Sequence, residues 1–420
     1  MKRRKFIKKG AHTGLAMGMG SLIPMNLLSN TSSEPMDERI YLEEILYTEK
    51  EVDEWLAGKA FPFSKYHAEF GWLLNNGHYQ DGVDDTYSTY TYEGTDGERI
   101  MSNYSEKPCR INTYGDSFTQ CHQVSDHETW QEVLAAHIQE PVRNYGIGGW
   151  SVYQAYLRML KEETRKPAEY IIFNIYEDDH ERNLDSWRNI RVKKHPAHIE
   201  ATLPHVKVDL KKKTITEFGN PCPTPESVYN LCDIDKTYKL FRDDFVLKIM
   251  LAHRNSEMAN DARAYESLKE LIKTHGIETN LDSSATLDSK ADDIHRRAAI
   301  FSTTKIVEKI EDFARSGNKK VLYVLSFPGS AVAEYISNGK RYDRDFIPFL
   351  EERELPYIDL LEEHAKDYQK YNLSIEDYID KYFIGHYNPL GNFFCANALR
   401  KRMVDMLEPK PFPYLKPKDQ

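Results

Sequence analysis

The stretch Arg110-Ile111-Asn112-Thr113-Tyr114-Gly115-Asp116-Ser117-Phe118 decides the fold, because a short predicted strand runs here directly into a turn and a helix. We place the strand at Arg110–Tyr114. Downstream, Glu128–Ile138 has apolar residues at the i, i+3, i+4 spacing of an amphipathic helix, and Val142–Tyr145 follows as a second strand. This order of strand, helix and strand is typical of a parallel βαβ unit.

The same alternation continues along the chain. A helix is predicted over Tyr153–Glu163 and a buried strand over Tyr170–Tyr176. After an interruption the pattern resumes with the helix Ile294–Ser316, the strand Lys320–Phe327, a helix around 343–353, the strand Tyr357–Leu360 and a last helix, Pro389–Leu407. Five strands interleaved with helices predict a three-layer α/β/α sandwich around a parallel five-stranded sheet.

Two segments fall outside this alternation. Residues 31–107 are rich in Tyr, Gly, Asp and Thr with several turn signals, which predicts an N-terminal cap of loops and short strands. In residues 191–290, two runs of period two predict a surface hairpin, and charged helical patterns follow; the runs are His205–Leu210 and Thr214–Phe218. We interpret this block as an insertion that divides the sandwich into 108–190 and 291–410.

The composition excludes some classes of protein. The 420 residues include 56 Lys+Arg and 66 Asp+Glu, a formal net charge of −10, which argues against a protein that coats nucleic acid. After residue 30 no apolar stretch is long enough to predict a membrane span. The five cysteines are an odd number, so at least one thiol is free in the monomer; only Cys222 and Cys232 are candidates for a disulfide.

The N-terminus indicates export. Residues 1–30 contain no acidic residue, and six basic residues precede position 10: Lys2, Arg3, Arg4, Lys5, Lys8 and Lys9. Within them, Arg3-Arg4-Lys5-Phe6-Ile7-Lys8 resembles the twin-arginine consensus, and a weakly apolar run follows. We therefore predict recognition by the twin-arginine export machinery and a periplasmic or extracellular location. The alternative is a basic tail on a cytoplasmic protein.

Three short motifs place two polar side chains and a backbone N–H at the same edge of the predicted sheet. Ser117 follows the first strand, where its hydroxyl projects into the cleft at the strand's carboxyl end. Gly146, within Asn144-Tyr145-Gly146-Ile147-Gly148-Gly149, follows the second strand and could bring a backbone N–H to the same place. His386 precedes the proline-initiated last helix, in a loop from which it can reach the cleft.

These motifs, in this order, resemble the SGNH (GDSL-like) serine hydrolases and esterases. Gly115-Asp116-Ser117 is similar to that family's nucleophile block, Gly146 to its oxyanion glycine, and His386 with Asn388 and Gly391 to its histidine block. The resemblance implies an ester hydrolase without a cofactor or metal, in which His386 activates Ser117. It also implies that the backbone N–H groups of Ser117 and Gly146 stabilise the oxyanion.

One departure from the family pattern concerns the oxyanion hole. The resemblance places Asp178 where the family usually has an asparagine, and an ionised carboxylate cannot donate a hydrogen bond to an oxyanion. Either Asp178 is protonated by burial, or another donor replaces it, or the reaction is weakened. Candidate replacements are Asn174, His180 and Arg182. A metal site formed by Asp178, Asp179 and His180 is a further alternative.

A second departure concerns the acid that orients the histidine. The family usually has an aspartate three residues before the histidine, and here that position is Phe383. Asp380 is the nearest aspartate, and we predict it as the third catalytic residue beside Ser117 and His386. The alternatives are a serine–histidine dyad or a backbone carbonyl as the orienting group.

Export and the family resemblance together favour an esterase that removes acyl groups, most simply acetyl, from a carbohydrate. One alternative is an O-acetyltransferase that passes the acyl group to an exported polysaccharide, which an assay with and without a sugar acceptor would distinguish. Another is a carbohydrate-binding protein that has kept the fold but lost the chemistry, in which Ser117 would not react with a phosphonate probe.

Overall fold

The computed structural model describes residues 36–59, 63–94, 97–192 and 202–415. The predicted export segment, residues 1–30, lies outside them. Residues 36–107 of the described chain, called the cap below, contain two helices and two small antiparallel strand pairs: α1 Glu38–Glu44, α2 Glu49–Leu56, β1 Ser64–His67, β2 Gly71–Leu74, β3 Gly77–Tyr79 and β4 Ser88–Tyr90.

The first half of the sandwich follows the cap. Its elements are β5 Ile111–Tyr114, α3 Ser117–Gln120, α4 Trp130–Ile138, β6 Arg143–Asn144, α5 Val152–Arg165, β7 Tyr170–Tyr176, α6 Asp179–Arg182 and α7 Arg188–Arg191. Every residue of β7 is buried, as expected for a strand covered on both faces of a parallel sheet. Polar side chains start the longer helices: Thr129 accepts from the N–H of Glu132 at α4, and Ser151 accepts from that of Gln154 at α5.

The interruption contains the predicted hairpin and a set of helices. Its elements are β8 His205–Asp209, β9 Thr214–Phe218, α8 Pro225–Val228, α9 Ile234–Phe241, α10 Phe245–Glu257, α11 Asp261–His275 and α12 Leu287–Ser316. The hairpin prediction is confirmed, since β8 and β9 pair antiparallel. The 30-residue helix α12 contacts α10 and the hairpin, and it also contacts α5 and the central sheet. It therefore joins the interruption to the sandwich.

The second half completes the sheet. Its elements are β10 Lys320–Ser326, α13 Gly329–Asn338, α14 Ile347–Glu352, β11 Tyr357–Asp359, α15 Leu360–Tyr368, α16 Ile375–Tyr382 and α17 Pro389–Met406. The strands lie in the order β11-β10-β7-β5-β6, and all neighbours are parallel. Helices α4, α15 and α17 pack together on one face, and α5, α12 and α14 lie on the other. The predicted three-layer α/β/α sandwich is confirmed.

The cap contacts the edge of the sheet from which the functional loops emerge. The indole N–H of Trp72 donates to the carbonyl of Gly148 at 3.1 Å, and the side chain of Gln154 donates to the carbonyl of Phe70 at 2.8 Å. Cys222 and Cys232 form no disulfide with each other. Among the described helices, none has the length and apolar character needed to cross a membrane.

Candidate active site

The serine lies in a tight turn between β5 and α3. Gly115 has φ of 152°, and a Cβ at this position would lie 2.4 Å from Thr119 Oγ1, so only glycine fits. The next residue, Asp116, begins α3 by accepting a hydrogen bond from the N–H of Phe118 at 2.9 Å. Ser117 is thereby held as the first residue of α3, at the carboxyl end of β5.

The histidine lies in the loop between α16 and α17. Phe383 and Tyr387 form an isolated antiparallel bridge, so the loop doubles back on itself around His386. Asn388 then begins α17 by accepting from the N–H of Gly391 at 2.9 Å, and its amide donates to the carbonyl of Lys381 at 2.9 Å. The histidine loop is thus fixed to both flanking helices.

These two loops bring Ser117 and His386 together. Ser117 Oγ lies 2.8 Å from His386 Nε2, and the two residues are 2% and 4% exposed. Trp130 ties the loops to each other, because its indole donates to the carbonyl of Phe118 at 3.0 Å and its backbone N–H donates to Asn392 Oδ1 at 3.2 Å. The hydroxyl and imidazole are therefore within reach for proton transfer.

Burial sets the protonation state of the histidine. It holds the pKa of His386 well below the usual value, and the nearby His122 and Arg182 lower that pKa further. The imidazole is consequently neutral near pH 7, the form that accepts a proton from a hydroxyl.

The far side of the imidazole contacts Gln123 and not Asp380. Gln123 Oε1 lies 3.2 Å from His386 Nδ1 and accepts the backbone N–H of His386 at 2.8 Å. Asp380 is exposed on α16 and makes no ion pair with His386, which corrects the sequence expectation. The reason is helical geometry: Tyr378 and Tyr382 face the core, and a residue midway between them points the opposite way. Gln123 belongs to no motif, and its contact joins positions 263 residues apart, so the sequence carried no signal for it.

Gly146, the predicted oxyanion glycine, makes a different hydrogen bond from the one expected. The N–H of Gly146 donates to Asn144 Oδ1 at 2.9 Å, so in this arrangement it is engaged within its own turn. A Cβ added to Gly148 would lie 3.7 Å from the Cβ of Ser117, an ordinary van der Waals distance, so this glycine approaches the serine. Both glycines are in the predicted motif.

Asp178 is an ionised structural residue. Burial alone would raise the pKa of Asp178, but Arg191 and Arg182 outweigh it and hold that pKa below the usual range. Its carboxylate accepts from Arg182 Nε at 2.7 Å and from Arg191 Nη1 at 2.8 Å. Protonation by burial, one of the explanations for an aspartate in an oxyanion hole, is therefore excluded. No hydrogen bond or ion pair joins Asp178 to Ser117 or His386.

The suggested substitutes for Asp178 are engaged elsewhere. His180 Nδ1 lies 2.8 Å from the hydroxyl of Thr303 on α12, and Arg182 binds the carboxylates of Asp178 and Asp179. Asn174 Nδ2 donates to Asp116 Oδ1 at 3.3 Å. Because Asp179 also accepts the backbone N–H of Tyr176, the metal site considered above has no free set of ligands.

A buried pair of carboxylates lies behind the serine. Asp116 Oδ2 lies 3.2 Å from Ser117 Oγ and 3.6 Å from a guanidinium nitrogen of Arg182, which also pairs with Asp179 at 2.8 Å. Burial raises the pKa of both Asp116 and Asp179, and Arg182 opposes that rise. The Arg182 guanidinium thus pairs with both of these carboxylates as well as with Asp178, and the serine hydroxyl has a second acceptor besides the imidazole.

The space beside the serine is small. The crevice is too narrow to hold a water-sized sphere, and it is lined by Ser117, Phe118, Cys121, His122, His386, Tyr387 and Asn392. Cap residues cover this crevice, since the rings of Phe63 and Tyr90 pack on His122. The ring of His122 in turn lies 5.0 Å from that of His386.

Comparison with known proteins identifies structural neighbours of low sequence identity. No protein-family model and no curated protein sequence matches the chain. Solved structures that match include a G-D-S-L-family lipolytic protein from Desulfitobacterium hafniense DCB-2, with 10% identity, a TM-score of 0.29, and coverage of 69% of this chain and 98% of that one. The acetyl xylan esterase AlAXEase matches with 15% identity, a TM-score of 0.30 and coverage of 70% and 99%. A protein from Lactobacillus plantarum matches with 12% identity, a TM-score of 0.30 and coverage of 71% and 98%.

A parallel five-stranded sheet, with Ser117 after β5 and His386 before α17, gives this chain an SGNH/GDSL-like α/β/α architecture.

Proposed function

We propose that the chain is a serine ester hydrolase that removes acyl groups from a carbohydrate through an acyl-serine intermediate. The observation that carries this proposal is the 2.8 Å separation of Ser117 Oγ and His386 Nε2, with the imidazole neutral and buried. A buried serine–histidine pair at the carboxyl end of a parallel sheet is suited to nucleophilic catalysis.

The reaction has two halves. His386 Nε2 takes the hydroxyl proton as Ser117 Oγ attacks the ester carbonyl, and the resulting imidazolium gives that proton to the departing alcohol. Water then attacks the acyl-serine, with His386 again accepting and returning the proton, and the acid leaves. Backbone N–H groups beside the serine, from Ser117 itself and from Gly148, are the proposed oxyanion donors.

The substrate class and location are part of the proposal. The narrowness of the crevice beside Ser117 favours a short acyl group such as acetyl over a long acyl chain. The twin-arginine-like N-terminus favours export, and therefore a polysaccharide or other glycan ester outside the cytoplasm.

The test is replacement of the nucleophile. Ser117→Ala should lower hydrolysis of p-nitrophenyl acetate and of acetylated glycan by about a thousandfold or more, and should abolish labelling by a fluorophosphonate. Ser326→Ala is the matched control, because Ser326 is a buried serine at the end of β10 whose hydroxyl has no hydrogen-bond partner in the described chain. If Ser117→Ala keeps the wild-type rate, the proposal is wrong.

Burial of the reactive pair favours one second candidate, an acetyltransferase. A site in which Ser117 and His386 are almost fully covered limits the access of water to an acyl-serine, which gives an acceptor sugar an advantage. Acetyl release should then be slow without an acceptor and should give way to transfer when a sugar acceptor is added. Equal release with and without acceptor supports the hydrolase.

A further inference from the structure

We propose that Gln123 is the positioning residue of the serine–histidine pair: its side-chain oxygen fixes the imidazole of His386 in the reactive tautomer and ties that orientation to the cap. This inference rests on the proposed function for its catalytic meaning. A neutral amide would thus stand where serine hydrolases use a carboxylate.

The hydrogen bonds of Gln123 define both its amide orientation and the imidazole tautomer. The backbone N–H of His386 can only donate, so the side-chain atom that it reaches at 2.8 Å is the oxygen of Gln123. The same oxygen lies 3.2 Å from His386 Nδ1, and an amide oxygen can only accept, so Nδ1 carries the proton. Nε2 is then left with its lone pair facing the hydroxyl of Ser117 at 2.8 Å, as a general base requires.

The other polar groups of Gln123 bind the cap. Its side-chain nitrogen donates to the carbonyl of Asp81 at 3.2 Å, and its backbone N–H donates to the hydroxyl of Tyr90 at 2.7 Å. That hydroxyl in turn donates to Asp81 Oδ2 at 2.8 Å. Gln123 therefore contacts the cap and the catalytic histidine through opposite ends of one amide.

A buried arginine of the cap holds the segment that carries Gln123. Arg99 pairs with Asp126 at 2.8 Å, and its guanidinium also donates to the backbone carbonyls of three residues: Gln120 at 2.6 Å, Cys121 at 2.9 Å and Val124 at 2.6 Å. Gln123 itself has φ of 72°, an uncommon conformation for a residue with a side chain. These bonds keep the turn in the shape that aims the amide at His386.

The charges around the imidazole of His386 allow an experiment to distinguish an amide at position 123 from a carboxylate. His122 and Arg182 both disfavour the imidazolium, and the nearest carboxylates lie beside other groups: Asp116 against Ser117, and Asp81 at 4.0 Å from His122. The remaining ionisable neighbours in the crevice, Cys121 and Tyr387, are kept protonated because burial raises the pKa of each. Among the residues that the structure describes, a negative charge introduced at Gln123 would therefore be the only one in contact with Nδ1.

The experiment compares Gln123→Glu and Gln123→Met with Asp380→Asn in the full chain. Imidazole NMR resonances report protonation whether or not the protein turns over an ester. The resonance of His386 is assigned as the one that disappears in His386→Asn. Gln123→Glu should bind a proton at His386 at least about tenfold more tightly than wild type, because an opposite charge within 4 Å favours the imidazolium. The acid limb of the rate of fluorophosphonate labelling should move to higher pH accordingly, since only the neutral imidazole acts as a base.

Gln123→Met keeps the length of the side chain but removes the acceptor, and it should slow labelling of Ser117 about tenfold to a thousandfold. Asp380→Asn should leave both the titration and the labelling rate at wild-type values. An unchanged His386 titration in Gln123→Glu, or a wild-type labelling rate in folded Gln123→Met, overturns the positioning role. If Gln123→Glu shifts the His386 titration while the wild-type protein shows neither labelling nor hydrolysis, the proposed function alone is contradicted.

Discussion

Replacing Asp178 by asparagine separates two interpretations of that residue. If the carboxylate lies in the oxyanion hole, as the family resemblance suggests, Asp178→Asn supplies a donor and should raise the rate of ester hydrolysis. The structure predicts the opposite outcome, a loss of stability with no gain in rate, because Asp178 binds Arg182 and Arg191 and does not contact Ser117.

The size of the stability loss in Asp178→Asn follows from the contacts of the Asp178 carboxylate. Removing one partner of a fully buried ion pair costs about 3–5 kcal/mol, and a fully exposed pair is worth less than about 1 kcal/mol. The side chain of Asp178 is 34% exposed, and both arginines keep other carboxylates, Arg182 with Asp179 and Arg191 with Asp185. We therefore expect a free energy of unfolding lower by about 2 kcal/mol, or a Tm lower by about 2–3 °C for a chain of this size.

Urea denaturation of Asp178→Asn at several pH values tests this estimate. The folded-state pKa of Asp178 lies below its unfolded value, so its stabilisation is fully present above about pH 5 and is lost only as the pH falls through the folded-state pKa. The difference from wild type should thus be constant from pH 6 to 8. Asp243→Asn, which changes an exposed carboxylate next to Arg242, is the control and should cost less than about 0.5 kcal/mol. A variant as stable as wild type and several-fold faster would refute the reasoning.

Three further changes follow from single contacts. Burial among acidic neighbours raises the pKa of Glu177 to about 8, so its ionisation weakens the fold as the pH rises from the unfolded-state value toward 8. Glu177→Gln should consequently gain about 1–2 kcal/mol more over wild type at pH 8 than at pH 6, and parallel stability curves would contradict this. Gly385 has φ of 118°, and a Cβ there would lie 2.8 Å from Gln123 Oε1; Gly385→Ala should therefore slow fluorophosphonate labelling at least about tenfold, whereas a wild-type rate would mean that the loop adapts freely. The hydroxyl of Tyr387 lies 2.7 Å from His364 Nε2, so Tyr387→Phe should lower the free energy of unfolding by about 1–3 kcal/mol in chemical denaturation, and no loss would show that the buried imidazole finds another partner.

The sheet was predictable because its strands are short apolar runs with clear ends. All residues of Tyr170–Tyr176 are buried, and the runs at Ile111–Tyr114 and Lys320–Ser326 pair with it in parallel register. Helices α13 and α16 were not predicted. Helix α13 begins at Gly329 directly after Pro328, two residues with low helix propensity. Helix α16 is a short, mostly polar segment, and only the packing shows why its two tyrosines are buried.

The reactive pair was also foreseeable, and its orienting partner was not. Ser117 and His386 each follow a local pattern that fixes their place at the end of a strand or the start of a helix. Asp380 was chosen for closeness in sequence, but its helix turns it toward solvent. Gln123 reaches the imidazole only because the cap shapes its turn, and contacts between distant segments leave no trace in a single sequence.

The position of β7 in the middle of the sheet has a consequence for how the chain reaches its native state. One edge of β7 pairs with β5, which lies shortly before it in the sequence. The other edge pairs with β10, which is synthesised only after the hairpin and helices α8–α12. Until then the half that carries Ser117 presents an unpaired parallel edge, the kind of surface on which growing chains aggregate. Chains stopped before Lys320 should accordingly depend on chaperones to remain soluble.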